Sequence, residues 1–302
     1  MISICMEKRI EASARTEEKL EQFLHRELGL TMRQIRQAKY RENGICINGI
    51  RSRVTEVLNP GDVVTVLLEE AEEESSQLIP GDGELRILYE DEDVLAVDKP
   101  AGVVVHPSPG HYGDSLSNTA VRYFREKSLS VKIRSVGRLD KDTSGIVLFA
   151  KNQVAAARLS EQKISGACEK EYLALASGIP KPRTGTVCTH LMKDPESRMK
   201  MKVTDQGLPA VTHYEVIQVF ETYSLLRVLI ETGRTHQIRV HMASIGHPLL
   251  GDLLYGNDRC MERTALHAAS CRFLQPFTGE EICLLADLPE DMKKMIDLRK
   301  ER

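Results

Sequence analysis

Residues 85–107 read LRILYEDEDVLAVDKPAGVVVHP. Apolar residues run or alternate there in short stretches, broken first by an acidic cluster and then by the Pro-Ala-Gly of residues 100–102, which is the pattern of paired strands joined by turns. Downstream, GIVLFAK (145–151), EYLALASG (171–178), AVTHYEVIQVF (210–220), YSLLRVLIE (223–231) and EEICLLADLP (280–289) predict further short strands. SLSNTAVRYFREK (115–127), NQVAAARLSEQKIS (152–165) and RTHQIRVHMASIG (234–246) predict helices. Strands and helices do not alternate regularly, so the expected class is α+β, built on a large mixed or antiparallel sheet rather than a doubly wound parallel one.

Upstream the character changes. Residues 69–74 are EEAEEE, five glutamates in six positions that repel one another, followed by SSQLIPGDG; a boundary is expected there. Before it, TEEKLEQFLHRELG places Leu20, Phe23, Leu24 and Leu28 at helical spacing, with Thr16 as candidate N-cap and Gly29 after the last turn. A second helix is predicted from Thr31 to about Arg41. Asn48-Gly49 within ICINGIRSRV is a hairpin signal, and NPGDVVTVLL leads into a β-branched strand. The expected organisation is a helix-helix-hairpin unit at 12–75, a linker at 76–83 and a larger domain at 84–302.

The 302 residues are 41% hydrophobic and 28% charged with a net charge of −3, an ordinary globular balance in which bulk charge names no partner. No apolar run approaches a membrane span and the first residues do not form a signal-peptide core, so the expected location is the cytoplasm. Seven cysteines with no C-x-x-C pair disfavour a disulfide framework or a structural zinc site and are expected to be reduced, mostly buried thiols. Locally the balance shifts: between residues 26 and 53, Arg26, Arg33, Arg36, Lys39, Arg41, Arg51 and Arg53 face only Glu27 and Glu42. Either a solvated helix face or a phosphate-tracking patch fits that composition.

In GRLDKDTSGIVLFAKN (137–152), Asp140, Asp142, Ser144 and Gly145 imitate the opening of a calcium loop. The twelfth position, where such a loop needs a bidentate glutamate, is Lys151, so calcium is rejected. A carboxylate pair for glycoside hydrolysis and a plain polar turn before a strand both remain open on these residues alone. His236, His241 and His247 lack the i, i+4 spacing of a helical metal pair, and no metal is expected. No G-x-G-x-x-G, P-loop or G-x-S-x-G is present, so no nucleotide cofactor or acyl-transfer serine is supported. A second basic stretch, Lys181, Arg183, Lys193, Arg198, Lys200 and Lys202, fits phosphate contacts or a solvated loop equally.

Taken together, KPAGVVVHP (99–107), GRLDKDTSGIVLFAKN (137–152), KEYLALASG (170–178) and GRTHQIRVHMASIGHPLLGDLLYG (233–256) resemble, in order, the motif set of the RluA/RluD-type pseudouridine synthases. Many members read H-R-L-D where this chain has Gly137 before Arg138. In the N-terminal unit the order of elements, with GICINGIRSR (44–53) followed by NPGDVVTV (59–66), resembles over about 60 residues the small RNA-binding domain shared by a ribosomal small-subunit protein, tyrosyl-tRNA synthetases and many RNA-modifying enzymes, with Lys19 where that family often carries arginine.

The resemblance implies isomerisation of a uridine within RNA: the C1′–N1 bond breaks, the uracil turns, and C5 bonds to C1′, with no cofactor consumed. It implies Asp140 as the catalytic aspartate, Arg239 as its basic partner, Tyr172 as the residue stacking on the base, and Arg138 as the side chain that fills the gap left by the extruded nucleotide. Arg33, Arg36, Lys39, Arg41, Arg51 and Arg53 are the expected phosphate contacts of the N-terminal unit. The expected partner is RNA, ribosomal rather than transfer RNA, with the protein a monomer away from membranes. A non-catalytic RNA-binding or ribosome-assembly factor and a nucleoside or glycosyl hydrolase are the competing classes.

Overall fold

The structure is a computed structural model that describes residues 7–69, 78–129, 131–197 and 199–297. Most of the glutamate run, the start of the expected linker and Arg198 lie outside the described residues.

Residues 7–69 carry β1 (Glu7–Ser13), β2 (Glu18–Lys19), α1 (Leu20–Arg26), α2 (Met32–Lys39), β3 (Ile45–Ile47), β4 (Ile50–Arg51), β5 (Val57–Leu58) and β6 (Val63–Glu69). Two helices and a hairpin are there, but the unit is organised by a four-stranded sheet in the order β1-β6-β3-β4, so it is richer in strand than the helix-helix-hairpin expectation. β1 pairs with β6 along its whole length and carries the sheet upstream of the expected bound at residue 12. Its charged, alternating sequence EKRIEAS gave no strong strand signal. The four apolar residues of the first helical pattern are all buried, yet α1 starts only at Leu20 and its N-cap is Lys19, because Glu18–Lys19 pair with β5 and hold the preceding chain extended. Thr31 caps α2 in a reciprocal capping box with Gln34. Asn48 and Gly49 both have positive φ, as a two-residue hairpin of this hand requires.

The larger part carries β7 (Arg86–Glu90), β8 (Val94–Lys99), α3 (Leu116–Glu126), β9 (Arg134–Ser135), β10 (Ser144–Ala150), α4 (Gln153–Ser165), β11 (Glu169–Ser177), β12 (Thr184–Lys193), β13 (Met201–Thr204), β14 (Leu208–Val219), β15 (Tyr223–Ile230), α5 (Gln237–Ser244), β16 (Leu266–Leu274), β17 (Glu281–Leu285) and α6 (Glu290–Asp297). Eleven strands form one sheet whose main path is β13-β12-β14-β15-β11-β16-β10-β8-β7. Every pairing is antiparallel except β10 with β16, so the sheet is mixed, as expected for this class. At that parallel seam a Cβ on Gly145 would lie 2.2 Å from the Ala268 carbonyl oxygen, so only glycine permits the two backbones to meet.

The strand β10 reads SGIVLFA without alternation because both of its faces are covered. Val147 and Phe149 join a core with α3 and α5, while Ile146, Leu148 and Ala150 join another with α4. β12 and β16 had no sequence signal: LHAASCRFL is mostly small residues of low strand propensity, held extended by neighbours on both sides. Only Cys46 and Cys271 of the six described cysteines are buried; Cys188, Cys260 and Cys283 are exposed, on outward strand positions and a loop, which corrects the expectation of mostly buried thiols.

The two parts touch through α4. Val154 packs into the N-terminal core, Arg158 donates to the Leu28 and Pro276 carbonyls and lies over the Phe277 ring, and Lys8 Nζ is 2.7 Å from Asp93.

On the other side of the sheet, α5 is anchored by His241, fully buried with Nδ1 and Nε2 each 2.9 Å from a hydroxyl, of Thr212 and Thr189 respectively. Burial pushes its pKa from 6.5 down to about 4. A depressed native pKa means stability is complete above about pH 6.5 and is lost as pH falls towards 4, since the unfolded chain takes up a proton that the native one refuses. Between pH 7 and 5 urea unfolding should show a loss of about 2 kcal/mol from this side chain. A His241→Gln variant should lack that component; an unchanged pH slope in the variant would remove His241 from the account.

Candidate active site

The loop 137–143 enters β10, the strand β11 presents Tyr172, and the segment 230–239 leads into α5; together they enclose a cleft of about 310 Å³. Asp140, Tyr172 and Arg239, far apart in the chain, all line it, with Arg138 exposed at its rim. The N-terminal basic residues are elsewhere. Arg33, Arg36, Lys39 and Arg41 lie on or just after α2, and Arg51 Nη2 reaches the Lys39 carbonyl at 3.4 Å, which brings the hairpin carrying Arg51 and Arg53 beside the end of that helix.

Arg239 is almost wholly buried and fixed at two points: Nε and Nη2 donate to Asp252 at 2.7 and 2.8 Å, a bidentate geometry that leaves Nη1 pointing 3.6 Å from Asp140 Oδ2. Burial opposes the charge on Arg239, but Asp252 outweighs it and the pKa is raised. Asp252 is itself fully buried and also accepts the backbone N–H groups of Leu254 and Tyr255. At 3.6 Å the Arg239–Asp140 contact is electrostatic rather than a full hydrogen bond, so the carboxylate keeps its oxygens available to the cleft.

His236 completes the floor. It sits in the left-handed region (φ 55°) at the N-cap of α5, with Nε2 3.9 Å from Asp140 Oδ2 and Nδ1 2.8 Å from the Tyr255 hydroxyl. The same hydroxyl accepts the Met201 N–H at 2.7 Å, which ties Tyr255, and through it His236, to the start of β13. Burial lowers the His236 pKa and Asp140 works the other way. The three histidines of the 233–256 segment thus have separate partners: Asp140 and Tyr255, two threonines, and for His247 the Ser177 carbonyl.

Tyr172 is 6% exposed on β11, and burial pushes its phenol well above the ordinary value, with the charges of Cys271 and Asp140 adding to it, so the ring is neutral. Lys99, fully buried, donates to the carbonyls of Pro100, Val103 and Lys141 at 2.8–2.9 Å and ties the Pro-Ala-Gly turn to the Asp140 loop. Burial lowers its pKa to about 7 against the raising influence of Asp142 and Asp140. Asp252, His236, Tyr255 and Lys99 were not singled out for roles at the site from sequence, although all four stand inside the motifs at 99–107 and 233–256; only their contacts with Asp140, its loop or Arg239 reveal what they do.

A partly exposed carboxylate backed by a clamped guanidinium, in a cleft against a large mixed sheet, is an arrangement able to supply a nucleophile or a base. The RNA pseudouridylate synthase family matches residues 93–244. The chain is 40% identical to the uncharacterized RNA pseudouridine synthase YlyB of Bacillus subtilis, over 86% of this chain and 87% of that one. It is 38% identical to the ribosomal large subunit pseudouridine synthase D of Xanthomonas campestris, over 84% and 81% respectively. Human RNA pseudouridylate synthase domain containing 1 superimposes with a TM-score of 0.58 at 27% identity, over 72% of this chain and 89% of that one. The protein belongs to the RNA pseudouridine synthase family, isomerases that convert uridine in RNA to pseudouridine. Among its described residues no helix is long and apolar enough to cross a membrane.

Proposed function

We propose that this enzyme modifies uridines of ribosomal RNA in the cleft at Asp140, and that residues 12–75, extended upstream by β1, form an RNA-binding unit joined through 76–83 to a catalytic domain at 84–302. The observation that carries the site is the Asp140 carboxylate facing open space 3.6 Å from a guanidinium locked by Asp252. The target nucleotide has to leave its stack before Asp140 reaches it, at a cost of a few kcal/mol. Arg138, exposed at the rim, takes the vacated position. Within the cleft the uracil lies against Tyr172, whose neutral ring serves as a stacking surface. Asp140 then acts at C1′ as nucleophile, or as base in an elimination route, with the Arg239 guanidinium held 3.6 Å behind it. The glycosidic C1′–N1 bond breaks, C5 bonds to C1′, and the C5 proton leaves as N1 gains one.

The ribosomal preference rests on relatives named for the large ribosomal subunit. Carbodiimide mapping of RNA from cells with and without the gene tests it. One or more ribosomal pseudouridines should disappear with the gene, and losses confined to transfer RNA would overturn the assignment.

The exposed cations Arg36 and Lys39 on α2 and Arg51 and Arg53 on the hairpin supply the N-terminal phosphate contacts. Replacing these four with glutamine should weaken ribosomal RNA binding and flatten its salt dependence by roughly 3 units of log–log slope, leaving turnover at saturating RNA unchanged. A salt slope equal to that of the wild type would show that this face does not meet RNA.

A further inference from the structure

On the rim of the cleft, beside the loop that carries Arg138, stands Lys163 in the last turn of α4. It is exposed, and among the described residues it has no hydrogen bond or ion pair. Its ammonium lies against two glycines. A Cβ placed on Gly137 would be 2.9 Å from Lys163 Nζ, and one placed on Gly233 would be 3.0 Å from Nζ and 3.5 Å from Cε. Gly137 has a φ of +83° and is demanded by its backbone in any case. At Gly233 no such φ arises, and the lysine supplies every atom that a side chain there would meet. The two glycines stand three residues before Asp140 and six before Arg239, at the heads of the two segments that build the site.

Three of the other basic side chains of the cleft have partners. Arg239 is held by Asp252, Lys170 donates to the Ile146 carbonyl at 2.8 Å, and Arg234 Nε donates to the Pro209 carbonyl at 3.1 Å. Arg138, exposed, is already assigned to the vacated stack. At about 310 Å³ the cleft is near the small end of ligand sites, the scale of a single nucleoside, so the phosphates flanking an extruded nucleotide fall at its rim.

We infer that Lys163, seated in the space left by Gly137 and Gly233, binds a phosphodiester next to the target uridine and so holds the extruded nucleotide over Asp140. The inference rests on the reading of the cleft as the uridine site. It makes Lys163 a substrate-binding residue at the cleft itself, distinct from the cations of α2 and the hairpin, which do not line it.

The test is a double-mutant cycle between side chain and phosphate. Synthetic RNA strands carrying the mapped ribosomal uridine are made with a single neutral methylphosphonate on its 5′ or its 3′ side. Affinity is read by filter binding and turnover by tritium release from uracil C5. Lys163→Met should weaken binding of unmodified RNA roughly tenfold, raise KM with kcat nearly unchanged, and make the salt slope shallower by about 0.7. Lys163→Arg should retain most of the affinity. With one of the two methylphosphonate strands the wild type should lose a similar factor while Lys163→Met loses nothing more. Equal losses in both proteins with both strands would overturn the inference, as would unaltered affinity in Lys163→Met. Wild-type protein that binds these strands through Lys163 yet releases no tritium would instead sink the reading of the cleft, because binding and turnover are measured apart.

Discussion

Replacing Asp140 with asparagine should reduce tritium release from C5-labelled RNA by about 10⁴-fold or more while RNA affinity stays within a few-fold of the wild type. The substitution keeps the shape of the side chain and removes its charge, and an amide can neither attack C1′ nor accept a proton. Stability should change little, because Asp140 is partly open to the cleft and its nearest cation, at 3.6 Å, is already satisfied by Asp252. Appreciable release by Asp140→Asn would remove this carboxylate from the mechanism, and a loss of RNA affinity equal to the loss of rate would make it a binding residue.

The second large effect is expected at Asp252, which holds Arg239 from behind. Asp252→Ala should destabilise the protein by about 3–5 kcal/mol, the cost of leaving a buried guanidinium without its carboxylate. It also orphans the N–H groups of Leu254 and Tyr255, and so loosens the turn that places Tyr255 against His236. What remains folded should turn over slowly, since Arg239 is then free to close on Asp140 and occupy the oxygens that the substrate needs. Asp252→Asn keeps an acceptor and the turn but not the charge, and should fall between wild type and Asp252→Ala in urea midpoint. Stability of Asp252→Ala within 1 kcal/mol of wild type would show that the pair is not a structural anchor. Full turnover in either variant would show that Arg239 needs no clamp.

Much of this was legible along the chain. The helices α3 and α4 fall within the helical patterns read at 115–127 and 152–165, and the residues that open those patterns, Ser115 and Asn152, cap their first turns. The Asn48-Gly49 turn announced its hairpin for the same local reason. β1, β12 and β16 escaped because their extended form is imposed by neighbouring strands rather than by their own residues. α5 is shorter than the periodicity of 234–246 suggested: His236 takes a left-handed conformation that aims its ring at Asp140, and helical geometry starts only at Gln237.

By itself the sequence determined what short-range chemistry can write, namely the turns, the α+β class and the absence of cofactor motifs, while the resemblance of its ordered motifs pointed to the candidates Asp140, Tyr172 and Arg239. Tertiary structure decided how these act together. Asp140 and Arg239 are separated by almost a hundred residues, and Asp252, which fixes the guanidinium, approaches only because α5 packs across the sheet beside the following turn. The same holds for Lys163, whose helix brings an exposed ammonium over two glycines from different segments. A distance between side chains on separate elements depends on how those elements pack, and packing is a property of the whole core that no local pattern encodes.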